Sequence, residues 1–429
     1  RRVEEGGCPA AVSGLQPVQR ACVGAAVAAA CGRPAVFLCG DEREVQVLSA
    51  DLETLTGRRP VTLLGREWQF RPGAVGSRDW ERSRLAALYA LAQGDAPVVV
   101  ATADGLMART LPPETLRSLA ITLEVGGQAE LGALAEQLLS AGYTRCEQVE
   151  GVGQFALRGG ILDVFSPLMD QPVRCEFFDD EIDSMGAFDP GTQRRTRNVS
   201  SARILPAAEV LPHCAPGGLP GLADQLTALA EKLAKKQKTE AIVQTLREDA
   251  ERLRSGAAPG AADRYLAAIY PTVTAGVHYL PPDAVVFLSE SGRVDERVKN
   301  TVLQQKQDVE ALLSAGVLAG EYAHLTLTAE ELYAALEDFP VILEDSLPTS
   351  RHPLRPRGLL TMNAKQLSSY GGSLETAVTD LEHYRSSGSA VLVLCGGETR
   401  AKNLHRLLEE KGIPATLDLT GAAMPAPGE

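Results

Sequence analysis

Over the first 120 residues, apolar strand patterns alternate with helix patterns. The runs AVFLCG (35–40) and PVVVAT (97–102) are apolar throughout, which predicts strands buried on both faces. Between them, apolar residues recur at helical spacing after Asp41, a residue type that caps helices well. Strands that alternate with helices in this way predict an α/β fold with a parallel sheet.

The pattern changes at about residue 121. After a predicted helix at 129–141, the stretches GQFALRGGILDVF (153–165) and PVRCEFF (172–178) are typical of strands separated by turns. A Pro- and Gly-rich segment (205–221) follows, and the strand pattern DAVVFLSES (283–291) returns to the α/β character. We therefore predict that an α+β domain is inserted into one α/β domain.

The C-terminal part of the chain predicts a small α/β unit. Its elements are a helix at 373–386, a strand in SAVLVLCG (389–396), a helix near Glu398 and a strand in PATLDL (414–419). The preceding segment 346–358 carries prolines and arginines and is predicted to be a stiff linker.

Charge and cysteine usage exclude several functions. The net charge is −13, which disfavours DNA as the main partner, because duplex-binding surfaces neutralise phosphates with Lys and Arg. The eight cysteines include no C-x-x-C pair, so we expect neither a metal site nor a disulfide framework. With no apolar run of membrane-spanning length and no signal-peptide pattern, the sequence predicts a cytoplasmic protein without membrane contact.

The stretch GLQPVQRA (14–21) stands just before a predicted helix, where a phosphate-binding loop G-x-x-x-x-G-K-[ST] could lie. Gly14 fits the pattern, but the later positions hold Gln19, Arg20 and Ala21. Taken alone, one matching glycine favours coincidence over a degenerate ATP site.

The strand PVRCEFF places Arg174, Glu176 and Phe178 on one face, and Arg158 in the preceding strand could extend that face. Arginine and aromatic residues often anchor protein interfaces. The alternative is an Arg–Glu cross-strand pair with Phe178 tucked under a loop, and spacing alone favours this alternative. The acidic run DDEID (179–183) predicts a tight turn rather than a metal site, since it lacks the spacing of a calcium loop.

Several of these stretches together resemble one family. GYTRCEQVEGVGQFALRGGILDVFSP, RCEFFDDEIDSMGAFDPGTQR and ARILPAAEV, within 142–210, are similar to the bacterial transcription-repair coupling factors. The resemblance extends over most of the chain and weakens after about residue 345. One departure is Phe165-Ser166-Pro167, where the family usually has Phe-Pro.

The resemblance implies an amino-terminal segment built like the excinuclease component UvrB but without ATPase activity. The 14–21 loop then corresponds to a degenerate phosphate loop, and Ser289 stands where a working site would hold its Mg²⁺-binding Asp. We therefore expect no catalytic residues, no cofactor and no ATP hydrolysis. An active nucleotide-dependent DNA-damage-binding protein, like UvrB itself, is the alternative. An unrelated α/β metabolic enzyme would need paired titratable groups, which the sequence lacks.

The resemblance also implies a partner. In this family the inserted domain docks the excinuclease component UvrA, through residues that match Arg158, Arg174 and Phe178. We call these three and Glu176 the docking face. The implied function is an adaptor that recruits UvrA to stalled RNA polymerase. Contacts with polymerase and DNA, and the ATP-driven translocase activity of the full-length family, would belong to domains missing from this chain, which has no GKT loop or DExH strand.

The predicted organisation comprises five segments. They are the first part of a degenerate P-loop-like α/β domain (1–120), the inserted α+β domain (121–212), the second part of the α/β domain (213–345), the linker (346–358) and the small α/β domain (359–429).

Overall fold

The computed structural model describes residues 3–71, 79–236, 240–362, 374–420 and 425–426. The chain up to residue 120 contains β1 (Ala10–Ser13), α1 (Pro17–Cys31), β2 (Ala35–Cys39), α2 (Glu42–Thr56), β3 (Val61–Leu63), α3 (Asp79–Gln93), β4 (Val98–Thr102), α4 (Ala103–Met107) and α5 (Pro113–Leu119). The next segment contains β5 (Ile121–Glu124), α6 (Leu131–Ser140), β6 (Thr144–Arg145), β7 (Gln154–Arg158), β8 (Ile161–Val164), β9 (Val173–Phe178), β10 (Glu181–Phe188), β11 (Arg195–Asn198) and β12 (Ser201–Ile204).

The remainder contains α7 (Gly218–Lys235), α8 (Glu240–Arg254), α9 (Leu266–Ile269), β13 (Val285–Ser289), α10 (Ser291–Ser314), α11 (Ala329–Leu336), β14 (Val341–Asp345), β15 (Gly358–Thr361), α12 (Leu374–Ser386) and α13 (Glu398–Glu410). The chain divides into two compact units, residues 1–364 and 365–429.

The first unit contains a parallel sheet, which confirms the predicted α/β class. In the described residues its strand order is β15-β1-β14-β13-β2-β4-β3, and all neighbouring strands run parallel. In β2, Val36 and Leu38 pack into one core cluster while Phe37 and Cys39 pack into another on the opposite face. Burial on both faces explains why this strand is apolar at every position.

Helices cover both faces of the sheet. Helix α2 begins after Asp41, whose carboxylate accepts a hydrogen bond from the Glu44 backbone N–H at 2.8 Å, as the capping prediction requires. Helix α1 packs closely because Gly24 faces the ring of Phe37, which stacks on Phe287 with ring centroids 4.8 Å apart. A Cβ on Gly24 would lie 2.4 Å from the Phe37 ring, so only glycine allows this approach.

The segment from β5 to β12 interrupts the parallel sheet between β4 and β13. Its main sheet has the order β11-β10-β9-β8-β7-β6 and is mixed, because β6 pairs parallel to β7 while the other neighbours are antiparallel. Strands β5 and β12 pair antiparallel with each other at the two ends of the segment. Helix α6 packs on the mixed sheet through Leu134 and Leu138.

The C-terminal boundary differs from the predicted one. Residues Gly358–Thr361 form β15, which pairs with β1 at the edge of the parallel sheet, so these residues belong to the first unit rather than to a small separate domain. The predicted linker 346–358 therefore connects two strands of the same sheet. Part of the predicted small domain, 363–373, lies outside the described residues.

The second unit has its two predicted helices, α12 and α13, which pack through Val378, Leu408 and Ile413. The strands predicted at 389–396 and 414–419 are not formed, so these predictions are wrong. Leu394 is 86% exposed, and neither segment has a partner strand in the described part of this unit. An apolar pattern makes a stable strand only where a ladder and a packing surface are available.

Among the described helices, none combines the length and apolar character that crossing a bilayer requires.

Candidate functional site

The docking face lies on one surface of the mixed sheet. Val173 and Cys175 of β9 are buried in the core beneath this sheet. Arg174, Glu176 and Phe178 alternate with them and therefore point to the opposite surface, as the strand period predicts. Arg158 ends β7, two strands away across β8. The structure thus brings the four predicted residues to the same surface.

A buried carboxylate on β8 joins the two arginines. Asp163 is fully buried and lies directly opposite Arg174 in the strand register. Its Oδ1 accepts from Nε of Arg174 at 2.7 Å, and its Oδ2 accepts from Nη2 of the same residue at 2.8 Å. The Oδ2 atom also accepts from Nη2 of Arg158 at 2.7 Å. One carboxylate therefore fixes guanidinium groups from two different strands.

Arg174 is held by further contacts. Its guanidinium carbon lies 4.7 Å from the centroid of the Phe188 ring, a cation–π distance, and Nη2 lies 3.5 Å from Oε1 of Gln193. The hydrogen bonds to Asp163 raise the pKa of Arg174 above its ordinary value, against the opposing effect of burial. Arg174 is consequently a fixed cation at the edge of solvent.

Glu176 does not pair with Arg174. Its Oε2 accepts a hydrogen bond from the hydroxyl of Ser184 on β10 at 2.7 Å, and Arg195 on β11 lies 3.5 Å from the same hydroxyl. The cross-strand Arg–Glu pair of the alternative interpretation is therefore absent from the described contacts, because the Arg174 guanidinium donates to Asp163 instead.

Phe178 is the most exposed aromatic feature of this surface. It ends β9, and 80% of the residue is accessible to solvent, so it is not tucked under a loop. Asp179 and Asp180 then form the tight turn predicted for the acidic run, with Asp179 at a φ of 58°. A phenylalanine exposed to this degree loses the stabilisation that burial gives in most folded proteins.

Sequence reasoning missed Asp163, Ser184, Gln193 and Arg195 as members of this surface. Asp163 carried a usable signal, since it is a lone carboxylate between Leu162 and Val164 in an otherwise apolar strand. A charge on such a strand is rarely buried unless it is paired, so it points to a cationic partner on a neighbouring strand. Ser184 follows a shift in the β9–β10 register and Arg195 follows one in the β10–β11 register, and sequence spacing reveals neither shift. Gln193 lies in the turn between β10 and β11.

Within the 14–21 stretch, residues 14–16 connect β1 to α1, and residues 17–21 begin α1. Gly14 has a φ of 88°, and a Cβ there would lie 2.0 Å from the carbonyl oxygen of Met362. The backbone N–H of Met362 donates to the Ser13 carbonyl at 2.8 Å, which continues the pairing of β15 with β1. Glycine is thus required at position 14 because the backbone of Met362 passes against it. This backbone segment lies where the loop would otherwise be open to solvent.

The later loop residues are used inside the protein. The Gln19 side chain accepts a hydrogen bond from the Gln16 backbone at 2.8 Å, and Ala21 is buried in the core. Arg20 is buried, and its guanidinium pairs with Glu290 through a short hydrogen bond and with Glu44 at 3.4 Å. The positive charge of Arg20 is therefore paired with carboxylates inside the protein.

The surroundings of Arg20 are acidic. Oε1 of Glu44 also accepts from the Ser289 hydroxyl at 2.7 Å, and Glu290 accepts from the Ser346 backbone at 3.2 Å. Nearby Glu344 is fully buried, and within the described residues neither of its carboxylate oxygens has a hydrogen-bond partner. Burial raises the pKa of Glu344 well above its ordinary value, and the Arg20 charge offsets part of that rise.

Comparison with known proteins relates this chain to one family. Residues 121–209, which carry the docking face, match the UvrB interaction domain. The chain is 26% identical over 410 residues to the transcription-repair-coupling factor of Bacillus subtilis strain 168, covering 95% of this chain and 35% of that protein. The chain is a relative of the transcription-repair coupling factors.

Two further members of the family agree. The transcription-repair-coupling factor of Myxococcus xanthus is 29% identical over 423 residues, covering 93% of this chain and 34% of that protein. That of Staphylococcus aureus strain USA300 is 25% identical over 346 residues, covering 78% of this chain and 28% of that protein. The chain thus spans about a third of the length of the coupling factors it matches, and its inserted segment coincides with the match to the UvrB interaction domain.

Proposed function

We propose that this chain is a non-catalytic adaptor module of a transcription-repair coupling factor, and that its docking face binds the excinuclease component UvrA. The observation that carries the proposal is an exposed phenylalanine on the same sheet surface as two arginines that share Asp163, within the segment that matches a UvrB interaction domain. In the whole protein, such a module would recruit UvrA to stalled RNA polymerase for excision repair. Polymerase and DNA contacts, and ATP-driven translocation, would belong to domains outside this chain.

The chemistry of the face suits a protein partner. Phe178 offers apolar surface that is still in contact with water, and burial of this surface at an interface releases that water. Arg158 and Arg174 use one edge of each guanidinium on Asp163, and within the described residues their Nη1 groups have no acceptor. A partner with an apolar pocket next to carboxylates would complement both features.

The 14–21 stretch, which we call the nucleotide loop, supports a non-catalytic role. A phosphate loop needs a cation free to meet the β/γ-phosphates, a hydroxyl on Mg²⁺ and a strand-end Asp. Here Arg20 is paired with Glu44 and Glu290, Ala21 has no hydroxyl, and Ser289 donates to Glu44. An incoming triphosphate would also meet the carboxylates around Arg20, which repel it.

The experiment measures binding of this chain to purified UvrA by titration calorimetry, for wild type and Phe178→Ala. With 80% of a phenylalanine exposed, roughly 160 Å² of apolar surface is available, which sets an upper limit of about 4 kcal/mol at 25 cal/mol per Å². We expect a loss of about 2 kcal/mol, or roughly 30-fold in Kd, as for an interface anchor. Leu303→Ala, which truncates a 55% exposed residue of α10, is the matched control and should leave binding unchanged.

Phe178→Ala is a cleaner test than Arg174→Ala. Removing Arg174 would leave buried Asp163 with only Arg158, and the resulting destabilisation would be confused with lost docking. If wild type fails to bind UvrA, the adaptor role is wrong. If Phe178→Ala binds as tightly as wild type with an equal Tm, the role survives and the face is wrong.

A second titration tests the nucleotide loop. We expect no binding of Mg²⁺–ATP at millimolar concentration and no hydrolysis. Measurable ATP binding that is abolished by Arg20→Ala would favour the alternative, a nucleotide-dependent DNA-damage-binding protein like UvrB.

A further inference from the structure

The positions of Arg158 and Arg174 in the docking face require an anion that holds the two guanidinium groups together. Arg158 and Arg174 belong to β7 and β9, which are separated by β8, yet their guanidinium groups meet at one carboxylate. Two like charges brought this close repel each other. Long arginine side chains also sample many rotamers in solution. Without a common anion, the two guanidinium groups would separate and their N–H directions would vary.

Asp163 is that anion. It lies on the strand between the two arginines, it is fully buried, and its two oxygens accept three hydrogen bonds of 2.7–2.8 Å from them. Because it is buried, Asp163 cannot itself contact a partner. Arg158 remains about half exposed, with its side chain 49% accessible, while the Arg174 side chain is 22% accessible.

We propose that Asp163 is a positioning residue for docking: its carboxylate holds Arg158 and Arg174 in one fixed arrangement that a carboxylate-bearing partner surface recognises. This proposal rests on the proposed function, in which the partner is UvrA. Binding is strengthened because the ordering of the two side chains is already achieved in the free chain. Asp163 also neutralises one of the two positive charges, so the face presents directed donors rather than a diffuse basic patch.

The test is a set of double-mutant cycles on binding to UvrA. Asp163→Asn keeps the shape of the side chain but removes its charge and one acceptor, and we expect at least a roughly tenfold weaker Kd. Asp163 acts through Arg158. The double variant Asp163→Asn/Arg158→Ala should therefore raise Kd by less than the product of the two single-variant increases. Asp163 has no described contact with Phe178, so Asp163→Asn combined with Phe178→Ala should give the full product and serves as the control cycle.

A measurement on the free wild-type chain covers the case in which Asp163→Asn does not fold. Side-chain ¹⁵N NMR should show hindered rotation and slow hydrogen exchange for the guanidinium groups of Arg158 and Arg174, in contrast to exposed Arg197 on β11. Averaged signals like those of Arg197, or multiplicative effects in the Asp163–Arg158 cycle, would overturn the positioning role. If wild type does not bind UvrA, the proposed function fails, while the NMR result still decides whether Asp163 orders the arginines.

Discussion

Replacement of Arg20 by alanine tests the assignment of the nucleotide loop as an internal ion-pair site. The buried guanidinium pairs with Glu44 and Glu290 and lies close enough to Glu344 to lower the pKa of that carboxyl. In Arg20→Ala, Glu44 keeps its bond from Ser289 and Glu290 keeps its bond from Ser346. Glu344 has no other partner in the described structure and would be held neutral by burial.

The expected destabilisation follows from these contacts. Removing one partner of a buried pair costs about 3–5 kcal/mol, and the remaining hydrogen bonds place this variant near the lower limit, at about 3 kcal/mol. At an unfolding entropy of about 2.1 cal/mol/K per residue, such a loss corresponds to a fall in Tm of roughly 4 °C for a unit of this size. A working phosphate-loop cation would behave differently, because it must remain available to a ligand and its loss would leave no buried carboxylate unpaired.

Urea unfolding at pH 7.5 and at pH 4.5 measures this effect. Glu344 has a raised pKa in the folded state, and removing Arg20 raises that pKa further, so the variant loses more stability as pH rises from 4.5. The difference from wild type should therefore be larger at pH 7.5. Arg293→Ala is the control, since its exposed pair with Asp41 should contribute less than about 1 kcal/mol. A loss for Arg20→Ala no larger than that of the control would refute the reasoning.

Three further variants test other parts of the structure. Glu209→Gln should destabilise by about 3 kcal/mol, because buried Glu209 accepts hydrogen bonds from Arg84 at 3.2 Å and from Thr110 at 2.6 Å. The Tm at pH 7 measures this loss, and an unchanged Tm would contradict it. Gly24→Ala should lower the free energy of unfolding by about 1–3 kcal/mol, because the new Cβ clashes with Phe37. Gly292→Ala has open space around its Cβ and should raise the free energy of unfolding by about 0.5–1 kcal/mol. Paired urea titrations must show changes of opposite sign. Glu344→Gln should be as stable as wild type below pH 4.5 and more stable at pH 7. The raised folded-state pKa of Glu344 means that wild type loses stability as pH rises, and glutamine does not titrate. Equal pH profiles of stability by urea unfolding would reject this.

The sequence predicted those features that depend on local periodicity. Fully apolar runs such as 35–39 became strands buried on both faces, and the alternation in β9 placed Arg174 and Phe178 on one surface. Both depend only on the repeat of the side chains along the chain, which is set by backbone geometry.

Features that depend on distant pairing were not predictable. The carbonyl of Met362 lies against Gly14 because β15 pairs with β1, about 350 residues earlier in the chain, and no local pattern encodes that contact. The same limit explains the wrong strands of the second unit, where Leu392 and Leu394 have a strand-like pattern but no partner strand in the described residues. Strand formation is a property of the pair rather than of the segment.

The docking face and the nucleotide loop of this chain differ in how carboxylates are distributed around their arginines, and we propose that this difference decides what each can bind. At the nucleotide loop, one guanidinium is enclosed by Glu44, Glu290 and Glu344, so an approaching anion meets net negative charge. At the docking face, one buried carboxylate is shared by two guanidinium groups whose outer edges face solvent. Burying the carboxylate and exposing the arginines yields directed donors for a partner's carboxylates, whereas burying the arginine and surrounding it with carboxylates removes it from ligand chemistry. We therefore propose that the same type of ion pair supports docking at one site and excludes phosphate at the other.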